Sequence, residues 1–249
     1  MAARAPLIEI FDSVQGEGRF VGQPMVFVRT ATCPIRCAYC DTPHSYEAPP
    51  AFEVRARGRV LAEPNPTSAE RAVELVGQVV DRASWTASLT GGEPLVFPAF
   101  VAEFARAARR QGSRVHLETA ALDPHAMREV VDVVDHVSAD WKLPGTLADR
   151  GDWRAQHLGC VEVAALAGRS IDVKAVLTND VTDAAFDDML VRLGPFVRAI
   201  VLVLQPVTPF GAVQERCSSD QVLRRLDAAI AAGFDARVVP QTHRVLGVD

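Results

Sequence analysis

From about residue 85 onward, short β-branched or apolar runs alternate with helix-length segments, and no other feature of the 249-residue chain constrains its fold as much. The runs 86–91, 114–119, 136–141, 171–177, 199–207 and 235–242 predict strands, and MVFVRTA at 25–31 predicts one more upstream. The clearest helical patterns fall at 67–83, 99–112, 123–134 and 219–233. Thr67 or Ser68, with Glu70 behind it, has the form of an N-cap for the first, and Gly112 ends the second. Parallel strands need a crossover of a dozen or more residues, which a helix supplies, so the pattern predicts an α/β fold with parallel strands, of the β/α barrel type. EAPPAFEVRARGRVLAEPNPTS, rich in proline and arginine, breaks the rhythm and is expected to be an irregular insertion over about 47–66 in a single domain spanning 1–249.

In such a fold the C-terminal ends of the strands converge on one face. The unusual residues sit there: the cysteines after MVFVRTA, TGGEP after TASL, ETA after RVHL, DWKLP after HVSA, QPVTP after AIVLVL and PQTH after DARVV. Strand exits therefore predict one shared site.

Composition removes several alternatives. A net charge of −5 gives no basic surface for nucleic acid, and no segment approaches the roughly 18 apolar residues of a membrane span. The N-terminus carries one arginine in its first 18 residues and no apolar core of a signal peptide, so the expected location is the cytoplasm.

The cysteines sharpen the chemistry. Cys33, Cys37 and Cys40 occupy eight positions of TCPIRCAYCDTP, while Cys160 and Cys217 stand alone, a poor disulfide framework but a reasonable ligand set for a soft metal. With His44 three residues beyond Cys40, the loop suits a structural Cys3His zinc site in a binding module without catalysis. The alternative is a 4Fe-4S cluster held by three thiolates, which leaves one iron open to an organic ligand. From the loop alone both readings stand, and Cys160 and Cys217 read as small buried thiols.

Cys-x3-Cys-x2-Cys with Tyr39 before the last cysteine resembles the radical S-adenosylmethionine signature, and TGGEP at 90–94 resembles the second motif of that superfamily. The stretch FDSVQGEGRFVGQPMVFVRTATCPIRCAYCDT, 11–42, is similar throughout to the N-terminus of the 7-carboxy-7-deazaguanine synthase family: SxQGEG, then GxPxxFxR, then the cysteine loop and Asp-Thr. ETA, VSADWKLPG, LQPVTP and QTHRVL match further along.

The resemblance implies a partial, partly open β/α barrel, a homodimer, and radical ring contraction of 6-carboxy-5,6,7,8-tetrahydropterin with loss of ammonia. It implies a 4Fe-4S cluster on Cys33, Cys37 and Cys40, with S-adenosylmethionine at Gly91, Gly92 and Glu93 and also at Tyr39, Asp41, Glu118, Ser138, Asp140, Lys142 and Gln205. Val14, Gln15, Gly16 and Glu17 are expected along the pterin edge, Thr90 and His243 against the substrate, and Arg29 on its carboxylate, which a guanidinium can grip with two hydrogen bonds. Thr42 is expected to ligate Mg2+, a hard cation that favours oxygen. His116 reads as a packed strand histidine. A flavodoxin or ferredoxin would supply electrons. Two positions depart from the pattern: Thr32 stands where glycine is common, and ETAA (118–121) where ETNG is common. A glycyl-radical activating enzyme shares the cysteine spacing, but it acts on a protein and would not need SVQGEG, Arg29 and Thr42 to converge on a small pocket.

Overall fold

The computed structural model describes residues 2–56, 58–148 and 151–248. In chain order the strands are β1 (Arg4–Ala5), β2 (Leu7–Val14), β3 (Pro24–Thr30), β4 (Ala51–Ala56), β5 (Arg59–Pro64), β6 (Thr67–Ser68), β7 (Thr86–Gly91), β8 (Arg114–Thr119), β9 (His136–Asp140), β10 (Ser170–Leu177), β11 (Ile200–Pro206) and β12 (Asp235–Val238). The helices are α1 (Ala69–Val79), α2 (Pro98–Arg110), α3 (Pro124–Val130), α4 (Arg154–Leu166), α5 (Asp183–Leu193), α6 (Ser219–Ala231) and α7 (Thr242–Leu246).

Among the described residues the main sheet runs β12-β11-β10-β9-β8-β7-β3-β2-β4-β5. The seven strands from β12 to β3 are mutually parallel. Next to them β2 runs antiparallel to β3 and parallel to β4, and β5 returns as a hairpin. The edge strands β12 and β5 do not pair, so the barrel stays open.

Side chains alternate across the sheet with period two, and this sorts the core from the site. Val26 and Val28, Ala87 and Leu89, Val115 and Leu117, Val137 and Ala139, and Ile171, Val173 and Ala175 all enter one apolar core with the buried residues of α1 to α6. The residues between them face the other way, and most are polar: Arg29, Ser88, Thr90, His116, Glu118, Ser138, Asp140, Asp172 and Lys174. Parallel strands in α/β proteins are ordinarily apolar on both faces, so a polar second face marks the functional side.

The strands expected from 25 to 242 all form, with trimmed ends. β11 stops at Pro206 and β12 at Val238, two residues before Pro240, and proline has no N–H for a ladder. Asp123 caps α3 by accepting from His125 N and Ala126 N, and that helix ends at Val130. Ser68 caps α1 by accepting from Arg71 N, while Thr67 and Ser68 pair with β1 instead of extending the helix. One expectation is corrected: the stretch expected to be irregular over 47–66 contains the β4–β5 hairpin, which widens the sheet by two strands. Its strand character lies in AFEVRA, where Phe52 and Val54 enter the core and alternate with Glu53 and Arg55. No helix among the described residues is long and apolar enough to cross a membrane.

Candidate active site

The polar face opens into a cavity of ≈ 520 Å³ at the C-terminal ends of the parallel strands. Every site residue expected from the sequence lines it except Glu93.

The QGEG turn, the cysteine loop, the strand exits and the C-terminal segment build the wall. The QGEG turn after β2 is closed by reciprocal backbone bonds, Gln15 N to Gln23 O and Gly22 N to Gln15 O, each 2.8 Å. Gln15 is buried and its Nε2 donates to Glu118 Oε1 at 2.8 Å, tying the turn to β8. Glu118 also accepts from Ser88 Oγ at 2.6 Å and Thr90 Oγ1 at 3.3 Å. Burial works against this carboxylate, but His116, Lys174 and these donors outweigh it and hold its pKa far below the usual range. His116 stacks on His136, ring centroids 4.9 Å apart, in the layer beneath the cavity floor.

A chain of charges crosses the floor. Lys142 Nζ donates to Asp140 Oδ2 at 2.5 Å, Asp140 Oδ1 lies 3.1 Å from Lys174 Nζ, and Lys174 pairs with Glu17. Burial disfavours both ammonium groups, yet Asp140 and the other acidic groups around them, Glu17 and Glu118 beside Lys174 among them, together outweigh it and keep each well above the ordinary lysine pKa. Asp140 is correspondingly lowered despite its burial. The chain is charge-balanced, and Lys142 presents its ammonium to Tyr39 Oη at 3.4 Å.

The C-terminal segment closes the opposite side. Gln241 Nε2 donates to Glu17 Oε1 at 2.8 Å and to Asp41 Oδ2 at 3.2 Å, and Arg244 reaches Asp41 at 3.1 Å. Burial would raise the Asp41 carboxyl, but Arg244 and Gln241 hold it below its usual range. Gly16 admits His243 to the wall: a Cβ there would fall 2.1 Å from His243 Nδ1. Thr42 precedes a short 3-10 turn that it caps through its carbonyl, which accepts from Ser45 N and Ser45 Oγ. Its hydroxyl makes no cap bond and lies 4.0 Å from Cys40 Sγ.

The TGGEP turn is held from within the protein. The carboxylate of Glu93 is buried outside the cavity wall and accepts from Leu95 N, Thr119 Oγ1 and Ala120 N at 2.9, 2.6 and 2.6 Å. It clamps the β7 exit to the β8 exit, because a buried carboxylate must satisfy its lone pairs where donors are nearest. The glycine requirement is also internal: a Cβ on Gly92 would meet Thr32 O at 2.0 Å, and one on Gly91 would meet Thr30 O at 2.4 Å. Their backbones still line the cavity.

The donor set suits a cluster with an open iron. Cys33, Cys37 and Cys40 are half-buried around this cavity, while Cys160 and Cys217 lie in the apolar core and bring no fourth thiol. Burial pushes the Cys33 thiol up to about 11 and raises Cys37, so metal binding here must displace protons. Among the described residues no three His, Cys, Asp or Glu side chains converge as ligands of a single ion do, whereas cysteines on separate irons of a cubane stand farther apart. His44 is exposed. Gln205 Oε1 is buried at the cavity wall without a protein partner among the described residues, an acceptor left for a bound group.

Lys174, Glu9, Arg55, Gln241 and Arg244 also line the cavity and were not singled out from the sequence. A lone lysine in the apolar run IDVKAVL was the available signal for Lys174, and the alternation in LIEIF for Glu9.

An open, mostly parallel β/α sheet with three cysteines beside a GGE turn defines a radical S-adenosylmethionine enzyme, and the Radical SAM superfamily profile matches residues 27–142. The 7-carboxy-7-deazaguanine synthase of Methanopyrus kandleri is 35% identical over 96% of this chain and 92% of its own. That of Geobacter sulfurreducens is 31% identical over 98% and 97%. The crystal structure of QueE from Escherichia coli matches the fold with a TM-score of 0.65 at 22% identity, covering 96% of this chain and 95% of that one. The chain belongs to the 7-carboxy-7-deazaguanine synthase family, whose members are radical S-adenosylmethionine lyases. Membership implies a 4Fe-4S cluster and S-adenosylmethionine.

Proposed function

We propose that this enzyme contracts the ring of 6-carboxy-5,6,7,8-tetrahydropterin to give 7-carboxy-7-deazaguanine and ammonia, in queuosine or other 7-deazapurine biosynthesis. The observation that carries this reading is the convergence of the QGEG turn, Arg29, Thr42 and the three cysteines on one cavity. Cys33, Cys37 and Cys40 would hold the cluster, and Tyr39, Asp41, Gly91, Gly92, Ser138, Asp140, Lys142 and Gln205 would surround S-adenosylmethionine. When bound, the two supply a 5′-deoxyadenosyl radical able to take the hydrogen atom from C6 of the substrate. Glu118, which Gln15 and Thr90 already hold, would border both ligands.

The protein's own part is recognition and exclusion of water. Val14, Gln15, Gly16 and Glu17 present backbone groups, an amide and a carboxylate to the donors and acceptors along a pterin edge. Arg29 supplies a guanidinium for the carboxylate, and His243 approaches from the C-terminal segment. Thr42, with a hydroxyl not used in capping, would ligate Mg2+ together with substrate oxygens. The enzyme would act in the cytoplasm as a homodimer, reduced by a flavodoxin or ferredoxin.

Anaerobic incubation of the reconstituted protein with reductant, S-adenosylmethionine, Mg2+ and the carboxytetrahydropterin tests the reading by mass spectrometry. The carboxydeazaguanine is the expected product. Formation of 5′-deoxyadenosine alone would leave the radical chemistry standing and remove the substrate assignment.

A further inference from the structure

We infer that Asp172, on the inner face of β10, is a positioning residue for substrate recognition: by gripping Arg19 it fixes the QGEG turn in the place from which Gln15 and Glu17 meet the substrate. The inference rests on the reading above that this turn lies along the edge of a pterin.

The turn and the strand match in spacing and in sign. Glu17 and Arg19 stand two residues apart on the turn, and Lys174 and Asp172 stand two apart on β10, both on the face away from the core. Glu17 pairs with Lys174 and Arg19 with Asp172, so two ion pairs side by side fix one register of the turn on the strand. The Asp172 side chain is 1% exposed and uses both oxygens: Oδ2 accepts from Arg19 N at 2.9 Å, and Oδ1 accepts from Arg19 Nε. The rest of the guanidinium is taken up locally, by Ser170 Oγ at 3.2 Å and by Ile171 O. Phe20 completes the anchor with its ring edge-on to His116 and His136, centroids 5.9 and 4.7 Å away. Gly18, between the two ion-paired side chains, lies close against the carboxylate: a Cβ there would fall 2.9 Å from Asp172 Oδ2.

Asp172, Arg19 and Phe20 stand outside the cavity wall, whereas Gln15, Gly16, Glu17 and Lys174 line it. The anchor therefore acts on a ligand only through the turn. The donors and acceptors of a flat heterocycle lie in one plane and must be met there, so affinity depends on where the turn stands. Charge-assisted bonds are short and directional, and here they fix the backbone N–H of Arg19 as well as its side chain. Among the described residues neither Asp172 nor Arg19 bonds to the cysteine loop or the GGE turn, so the cofactor side is independent of the anchor. A role confined to stability would make Asp172 matter for folding and leave affinity for the pterin unchanged.

The two roles separate in the reconstituted holoenzyme. Asp172→Asn, which keeps the shape and removes the charge, is compared with wild type for KM and kcat on the carboxytetrahydropterin, S-adenosylmethionine affinity, iron content and Tm. A loosened turn predicts that KM rises about 10-fold while kcat, cofactor affinity and iron content stay within about twofold, because the turn grips the pterin edge in ground and transition states alike. Arg19→Met should give the same pattern, and the double variant should be no worse than Asp172→Asn alone, since the two residues form one contact. Arg19→Lys, which keeps the cation without the fork, is expected to recover part of the loss. The Arg19 side chain is 23% exposed, so the arginine variants carry the test should Asp172→Asn fail to fold. A lowered Tm with unchanged KM, equal losses for pterin and cofactor, or an additive double variant overturns the inference. Failure of the wild-type enzyme to bind the carboxytetrahydropterin overturns the substrate assignment instead.

Discussion

Thr32 holds φ at +68°, in the left-handed region where a β-branched residue is strained, and Ala121 holds φ at +55°. Both are positions where the family pattern commonly has glycine. Thr32 is kept there by backbone bonds on either side: its N–H donates to Ser45 O at 2.6 Å, and its carbonyl accepts from Glu93 N at 2.8 Å. That carbonyl is also what excludes a Cβ from Gly92, so the cysteine loop and the GGE turn share one tight contact. Left-handed backbone costs an L-residue about 1–2 kcal/mol, part of which glycine gives back as entropy. Thr32→Gly is therefore expected to stabilise the cluster-free protein by about 1 kcal/mol, a rise in Tm of about 2–4 °C for a chain of this size. An unchanged or lowered Tm would show that the Thr32 side chain contributes more than its backbone costs. Ala121→Gly should gain less, because Ala121 is fully buried and its methyl is part of the core.

Between strands, the inner face is held by cross-strand pairs that the local sequence does not display. Lys174 lies opposite Asp140 in the β9–β10 register, and Glu118 lies opposite Ser138 between β8 and β9. Removing Lys174 would leave the half-buried Asp140 and Glu17 with one cation fewer, at a cost toward the lower end of the about 3–5 kcal/mol of a broken buried pair. Lys174→Met should therefore lower the urea midpoint strongly, while Lys174→Met combined with Glu17→Gln recovers part of the loss. Equal midpoints for the single and double variants would show that the charge chain is not coupled. The cysteine loop, the GGE turn and the strand exits were legible in the sequence because each is a contiguous string with its own spacing. Lys174, Glu9 and Arg55 were not, since their roles depend on register between strands distant along the chain. The prolines flanking AFEVRA hid the hairpin in the same way, by masking a four-residue alternation. Glu93 was legible as part of a motif, but its direction was set by donors on β8 that the motif does not contain.

Across the molecule, the strand exits are joined behind the site by His157. Its Nε2 accepts from Lys142 N at 3.2 Å and its Nδ1 donates to Ala121 O at 3.1 Å, so the neutral ring links the β9 and β8 exits. Burial, with the nearby Lys142 charge adding to it, lowers its pKa to about 4. The unfolded chain, with an ordinary histidine near about 6.5, binds the proton first as pH falls. The stability His157 contributes is thus complete above about pH 6.5 and is lost as pH falls toward 4, by up to about 3 kcal/mol. Denaturation midpoints at neutral and mildly acidic pH, in wild type and His157→Gln, check this: the wild type should lose stability more steeply over that interval. Parallel slopes would mean that another group governs the transition.

In the proposed function, the polar face of this sheet brings C6 of a carboxytetrahydropterin to a radical formed from S-adenosylmethionine. Turnover of substrate deuterated at C6 measures this directly. Deuterium should appear in the 5′ position of recovered S-adenosylmethionine as carboxydeazaguanine forms. Product formation with no deuterium in the cofactor, or deuterated cofactor with no deazapurine, would contradict it.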